Sequence, residues 1–236
     1  MSEKIQWVSC ISGSGTTAAE MIKTTQRDEV PRLELAGIIC SNPQAKGIQR
    51  ILDLGIPLEK IVIVNPYQEK FSQEILRALH FLNADIITLN GWMPLMPQSV
   101  IESYPKRMFN QHPGPVPEFG GKGMYGRRVH ETVIQFSRLT GRTDLYTEVI
   151  TQRVDINYDA GDIVGFRRVD FTPNDDGDSL QQKALPIEHQ VQIELLKNIS
   201  NNSFPKVHQT LNLVLPDQIK YLIQAKNIAF KKYPHG

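Results

Sequence analysis

The run Ala84-Asp85-Ile86-Ile87-Thr88-Leu89 does most to restrict what this chain can fold into. Its composition leaves no polar face, so it reads as a strand covered on both sides, the situation of a central strand in a parallel sheet. Parallel neighbours need long crossovers, usually helical ones. Further apolar strand segments occupy residues 5–11, 33–40, 57–64 and 107–110, and helical spacing fills 18–25, 47–54, 67–83 and 97–104 between them. This alternation predicts an α/β fold: a doubly wound, mostly parallel, Rossmann-like sheet with helices on both faces and right-handed crossovers. Beyond it, a helix is expected over 127–136 and antiparallel-type strands over 146–154 and 163–171. Another helix follows Asp175-Asp176-Gly177-Asp178-Ser179 and runs through Glu188-His189 to Ile199. From Ser200 the chain is polar, then weakly amphipathic. No domain boundary is evident before that point.

Ligands of such sheets lie beyond the carboxyl ends of the strands, and two stretches there carry chemistry. Ser12-Gly13-Ser14-Gly15-Thr16-Thr17 joins the first strand to the first helix. Strand, small-residue loop and helix together offer an anion free N–H groups and a positive helix end, with Ser14, Thr16 and Thr17 adding hydroxyl donors. The loop is not a P-loop, since no Gly-Lys-Ser/Thr follows, and it lacks the third glycine of the dinucleotide fingerprint. A plain N-capped helix fits the same residues. The second stretch is Phe109-Asn110-Gln111-His112-Pro113-Gly114-Pro115. On extended backbone Asn110 and His112 leave the same face, and an amide donor beside an imidazole can hold and polarise a carbonyl oxygen. Taken alone, a turn asparagine and a strand-end histidine explain these residues slightly better.

Charge decides against several classes of partner. With 26 Lys+Arg, 25 Asp+Glu and a net charge of +1, no bulk electrostatic case exists for nucleic acid or an anionic membrane. The two cysteines, Cys10 and Cys40, sit in apolar strand segments and read as buried small hydrophobes, so neither a disulfide scaffold nor a metal site is expected. No signal core or membrane-length apolar run is seen, and a soluble, cytoplasmic protein is expected.

Six segments, taken in order, give the chain a resemblance to the folate-dependent formyltransferases. They are Ile11-Ser12-Gly13-Ser14-Gly15-Thr16, Asn90-Gly91-Trp92-Met93, Asn110-Gln111-His112-Pro113, Gly120-Gly121-Lys122-Gly123-Met124-Tyr125-Gly126, Asp159-Ala160-Gly161-Asp162-Ile163-Val164 and Glu188-His189. The first loop and Glu188 resemble the branch that formylates glycinamide ribonucleotide. The resemblance implies a catalytic domain over 1–200, with 201–236 as an extension packing on it. It implies transfer of a formyl group from 10-formyltetrahydrofolate, a co-substrate, to the ribonucleotide amine, with no metal. By the same resemblance Asn110, His112 and Asp159 are catalytic, and Ser14, Gly15, Thr16, Thr17 and Glu188 bind the ribonucleotide. Met93, Met96, Asp155 and Tyr158 then wall the folate pocket. The partners implied are a small ribonucleotide amine and a reduced folate, with monomer and homodimer both open.

Three departures bear on the amine acceptor more than on the formyl chemistry. Pro113-Gly114-Pro115-Val116-Pro117 replaces the family's Pro-Ser-Leu-Leu-Pro, Thr147-Glu148-Val149-Ile150 lacks its histidine, and residues 138–145 look like an insertion. Alternatives are a formyltransferase for another amine, such as an amino sugar nucleotide, or a non-catalytic folate- or nucleotide-binding protein on the same fold. For the chemistry, Asn110 suits a tetrahedral oxyanion, a protonated His112 would add charge there, and Asp159 would relay a proton. That requires Asp159 about 3 to 6 Å from His112. Such an ion pair is expected to raise the His112 pKa and depress that of Asp159.

Overall fold

The computed structural model describes residues 4–203, 207–208 and 213–234. The seven strands β1 (Ile5–Ile11), β2 (Leu33–Cys40), β3 (Ile61–Ile63), β4 (Ile86–Leu89), β5 (Met108–His112), β6 (Tyr146–Arg153) and β7 (Ile163–Asp170) stand in the order β3-β2-β1-β4-β5-β6-β7, and the chain divides into two compact units. The first comprises Met1–Gln111 with Arg153–Ile156 and Gln192–Pro205. Its strands are β1, β2, β3, β4 and β5, the last shared at its end with the second unit. Its helices are α1 (Thr16–Gln26), α2 (Lys46–Leu52), α3 (Phe71–Phe81) and α4 (Gln98–Ser103). Every strand pair from β3 to β5 is parallel, with Trp7 opposite Ile86 and Thr88 opposite Phe109. The order reverses between β1 and β4. Right-handed crossovers then send the helices before and after that point to opposite faces.

All four residues of β4 are buried, as the apolar run required. Val8, Cys10, Ile39, Ile75, Leu79, Ile87, Leu89 and Val100 form one core around it. Both cysteines are buried and free, and burial pushes the Cys10 and Cys40 thiols above their ordinary range. The segment expected as strand over 57–64 divides. Leu58–Lys60 makes a single 3₁₀ turn, and only Ile61–Ile63 pairs with β2. Pro57 explains part of this, since it brings no N–H to a ladder and its fixed φ suits the start of such a turn.

The second unit comprises His112–Gln152, Asn157–Val191 and Lys206–Gly236. It holds α5 (Arg127–Thr140), β6, β7 and α7 (Ile219–Lys232), with α6 (Gly177–Ser200) beginning in it. Strands β6 and β7 are antiparallel, with Val149 opposite Arg167. Although β6 alternates in sequence, it is buried from Tyr146 through Gln152. Its polar residues Thr147, Glu148, Thr151 and Gln152 are therefore buried as well. Of the suspected insertion at 138–145, residues 138–140 continue α5 and 141–145 form the turn into β6. Helix α5 runs on through Thr140 and closes on Gly141, whose φ of 67 suits a left-handed cap.

Past residue 200 the chain returns as α7, which packs against α5. Leu222 and Ala225 join Val129, Val133, Phe136, Leu180 and Ala184 in this unit's core. Arg128 fastens the end of that segment. Its buried guanidinium donates to the Tyr233 carbonyl at 2.7 Å, to the Gly123 carbonyl at 3.0 Å and to the Pro234 carbonyl. It also stacks 4.5 Å from the Phe230 ring centroid and 5.1 Å from that of Tyr125. Hydrogen bonds from a charged donor each contribute about 1.5 to 3 kcal/mol. Arg128→Met keeps most of the volume and leaves three carbonyls without that donor. It should lower stability by about 3 kcal/mol, seen as a lower urea midpoint with an unchanged slope. An unaltered midpoint would show that the latch contributes nothing.

Candidate active site

In the first unit, the loop after β1 is built around Gly15. Its φ of 64 belongs to the left-handed region, and a Cβ there would lie 2.8 Å from the Gly47 Cα. Only glycine meets both conditions. The Gly47 N–H donates to the Gly13 carbonyl at 2.9 Å, and Arg50 Nε to the Ser14 carbonyl at 3.0 Å. The loop therefore turns its carbonyls toward α2. The N–H groups of Thr16, Thr17 and Ala18 take no backbone partner among the described residues, as befits the first turn of a helix. The loop is open to an anion and is not closed on itself. Thr17 is buried, Thr16 half-buried and Ser14 exposed.

Below that loop lies a buried polar network that sequence reasoning did not single out. Trp7 Nε1 donates to Thr88 Oγ1 at 2.9 Å. Thr88 Oγ1 and Ser9 Oγ donate to Asn90 Oδ1 at 2.7 and 2.8 Å. The Asn90 amide nitrogen reaches Gln192 at 3.4 Å and Gln111 at 3.5 Å. The adjoining loop is tied down by Ser12, whose N–H donates to the Gly91 carbonyl at 3.1 Å and whose hydroxyl accepts from the Met93 N–H at 2.9 Å. Met96 is buried, Met93 is half exposed, and Trp92 stacks on Phe71 with centroids 6.4 Å apart. Asn110 lies on β5, half-buried, and Asp155 is exposed in the turn after β6.

In the second unit, the end of β5 delivers His112 into the interior. Asp159 comes from the turn between β6 and β7, with a φ of 52 that asparagine and aspartate tolerate better than most residues. Its Oδ1 lies 3.5 Å from His112 Nδ1, and the two side chains are 8% and 4% exposed. Oδ1 also accepts from Gln152 Nε2 at 2.8 Å, and Oδ2 accepts from the Gly121 N–H at 2.9 Å. Gly120 is required by this approach, because a Cβ there would stand 2.6 Å from the Asp159 Cβ. Gln152 is the partner that the sequence reading missed. The alternation of polar and apolar residues along β6 gave no signal that Gln152 faces inward. Asp162 and Tyr158 are exposed, and Glu188 is buried on α6.

The expected rise of the His112 pKa is overturned. Burial pushes the His112 pKa down, and it outweighs the upward pull of Asp159 and of the Phe119 backbone, while Lys226 adds a further downward push. Desolvation disfavours the imidazolium more than one carboxylate favours it. The resting imidazole is thus neutral at pH 7. Its Nε2 has no hydrogen-bond partner among the described residues.

Residues 5–196 match the model of the family described as formyl transferase, and the chain belongs to that family. Among similar proteins, the chloroplastic phosphoribosylglycinamide formyltransferase of Vigna unguiculata is 27% identical over 189 residues, which cover 79% of this chain and 58% of that one. The Bacillus subtilis phosphoribosylglycinamide formyltransferase is 26% identical over 190 residues, covering 80% and 91%. The crystal structure of glycinamide ribonucleotide transformylase 1 from Symbiobacterium toebii superposes with a TM-score of 0.72 at 21% identity, covering 86% of this chain and 90% of that one. The chain thus spans under two thirds of the Vigna protein and most of the Bacillus one.

One more buried imidazole gives a test that needs no substrate. His130 on α5 is fully buried, neither ring nitrogen has a partner among the described residues, and burial takes its pKa down to about 3. Unfolded histidine titrates near 6.5. Between those values the unfolded chain binds the proton that the folded chain refuses. Stability therefore falls as pH drops from 6.5 toward 3 and does not depend on this group above 6.5. His112 acts with the same sign. His130→Leu should flatten that acid slope in urea midpoints measured from pH 7.5 to 4.5. An unchanged slope would mean that the folded chain takes up the proton at His130.

Proposed function

We propose that this protein transfers the formyl group of 10-formyltetrahydrofolate to the amine of glycinamide ribonucleotide. The observation that carries the proposal is the buried His112–Asp159 pair, 3.5 Å apart, in a chain that belongs to the formyl transferase family. Residues 1–200 are assigned the formyl-transfer chemistry, with 201–236 as an extension. The reaction suits the cytoplasm.

The transfer passes through a tetrahedral carbon bearing an oxyanion. The Asn110 amide is the donor assigned to that oxygen, a neutral group that needs no proton bookkeeping. As the amine attacks, it must lose a proton, and the folate nitrogen must gain one as its bond to carbon breaks. A neutral His112 with Nδ1–H turned to Asp159 leaves Nε2 as a base for the first step. The resulting imidazolium is stabilised by Asp159 and supplies the proton for the second. Charge thus appears on His112 only while the oxyanion exists, where it contributes most to the rate. Asp159 does this best as a fixed carboxylate, and Gln152 and Gly121 hold it so.

Ribonucleotide phosphate is assigned to the 12–17 loop, where the first-turn N–H groups of α1 have no backbone partner among the described residues. Binding there fixes the amine far from the phosphate at no chemical cost. Glu188 is assigned to the glycinamide end. Met93, Met96, Asp155 and Tyr158 are assigned to the folate.

The experiment is a formyl-transfer assay of the purified chain with 10-formyltetrahydrofolate and a panel of amines that includes glycinamide ribonucleotide and amino sugar nucleotides. Glycinamide ribonucleotide should give the highest kcat/KM. His112→Ala should lower kcat by about 10²- to 10⁴-fold while the folate dissociation constant changes little. A sugar nucleotide preferred over the ribonucleotide would replace the assigned acceptor. A loss in His112→Ala confined to affinity would remove the histidine from the chemistry.

A further inference from the structure

Lys226 sits on α7, outside the residues 5–196 that match the family model. It is half-buried, yet it makes no ion pair among the described residues. Its ammonium donates to the Gly120 carbonyl at 3.1 Å. The same peptide group that accepts from Lys226 through Gly120 donates through its other end, since the Gly121 N–H bonds Asp159 Oδ2 at 2.9 Å. A cation on the carbonyl polarises the peptide and strengthens its N–H as a donor, because hydrogen bonds in series reinforce one another.

We propose that Lys226 is a positioning residue for the His112–Asp159 pair, gripping through the Gly120–Gly121 peptide the carboxylate on which the histidine depends. Nothing in the seat of α7 allows the lysine to drift. Arg128 ties down the Tyr233 and Pro234 carbonyls, Lys232 pairs with the buried Glu131 at 3.0 Å, and the Tyr233 hydroxyl donates to Asp178 at 2.9 Å. The peptide can make both contacts because Gly120 has no side chain to separate the backbone from Asp159.

The charged and titratable neighbours agree on what the clamp does. Asp159 from the β6–β7 turn and Glu118 from the loop after β5 attract the Lys226 ammonium, while burial opposes it. His112 on β5 feels the lysine as a repelling charge, and His130 on α5 is disfavoured as a cation by His112 in turn. The one cation thus favours the neutral form of His112. The C-terminal helix supplies to the active pair a charge that the matched family segment does not contain.

The proposal rests on the formyl-transfer reading for the work the pair performs, but its geometry can be tested without turnover. In the full chain, NMR follows the His112 titration, assigned by comparison with His112→Ala, and the exchange rate of the Gly121 amide. Lys226→Met should raise the His112 midpoint, speed Gly121 exchange about tenfold and lower kcat about tenfold with the amine KM little changed. Lys226→Arg, which keeps the cation, should restore all three toward wild type. If Lys226→Met folds normally and leaves both the His112 midpoint and Gly121 exchange unmoved, the clamp is overturned. A wild-type chain that transfers no formyl group would overturn the function instead, and the two NMR readouts would still decide the role of Lys226.

Discussion

A carboxylate and an imidazole removed from water set the terms for the second unit. Either group alone would be unfavourable there, because an unpaired buried charge loses its hydration without replacement. Each Asp159 oxygen instead meets a donor: Gln152 on Oδ1, where His112 also approaches, and the Gly121 N–H on Oδ2. Much of the surrounding architecture serves that compensation. The turn must pass through a left-handed φ at Asp159, Gly120 must lack a side chain, and β6 must turn a glutamine inward. Burial then decides the charge state of the imidazole, so His112 rests as a neutral base.

The first unit handles its polar groups differently. Its network of Trp7, Ser9, Thr88 and Asn90 is internally satisfied through short hydrogen bonds, and it holds the ends of β1 and β4 without offering a titratable group. Its available donors lie instead at the start of α1, where geometry leaves the first-turn N–H groups unbonded. Titration chemistry and anion-binding geometry are thus assigned to different parts of the chain.

Much of this was legible in the sequence, for identifiable reasons. β1 and β2 fall where their apolar runs place them, and β4 within its run, because burial on both faces leaves a plain compositional mark. The edge strand β3 was overestimated because exposed residues carry a weaker pattern. His112 and Asp159 were brought together by the family resemblance, and their separation lies within the expected reach. The charge state of the imidazole was not legible, since it depends on how completely His112 is buried, a property of the packed unit that no local pattern encodes. Gln152 and Lys226 were missed for related reasons. One sits in a strand whose alternation suggested an outward polar face, and the other in a tail with only weak amphipathicity.

The account turns on Asp159 as a fixed charge beside the imidazole. Asp159→Asn keeps the volume and can still accept from the Gly121 N–H, but it removes the charge that stabilises a transient imidazolium. Kinetics of this variant, beside a folate titration and a urea unfolding curve, test the claim most directly. The account predicts that kcat falls by about 10²-fold or more, while folate affinity and the unfolding midpoint change little. An Asp159→Asn enzyme that turns over like the wild type would contradict it.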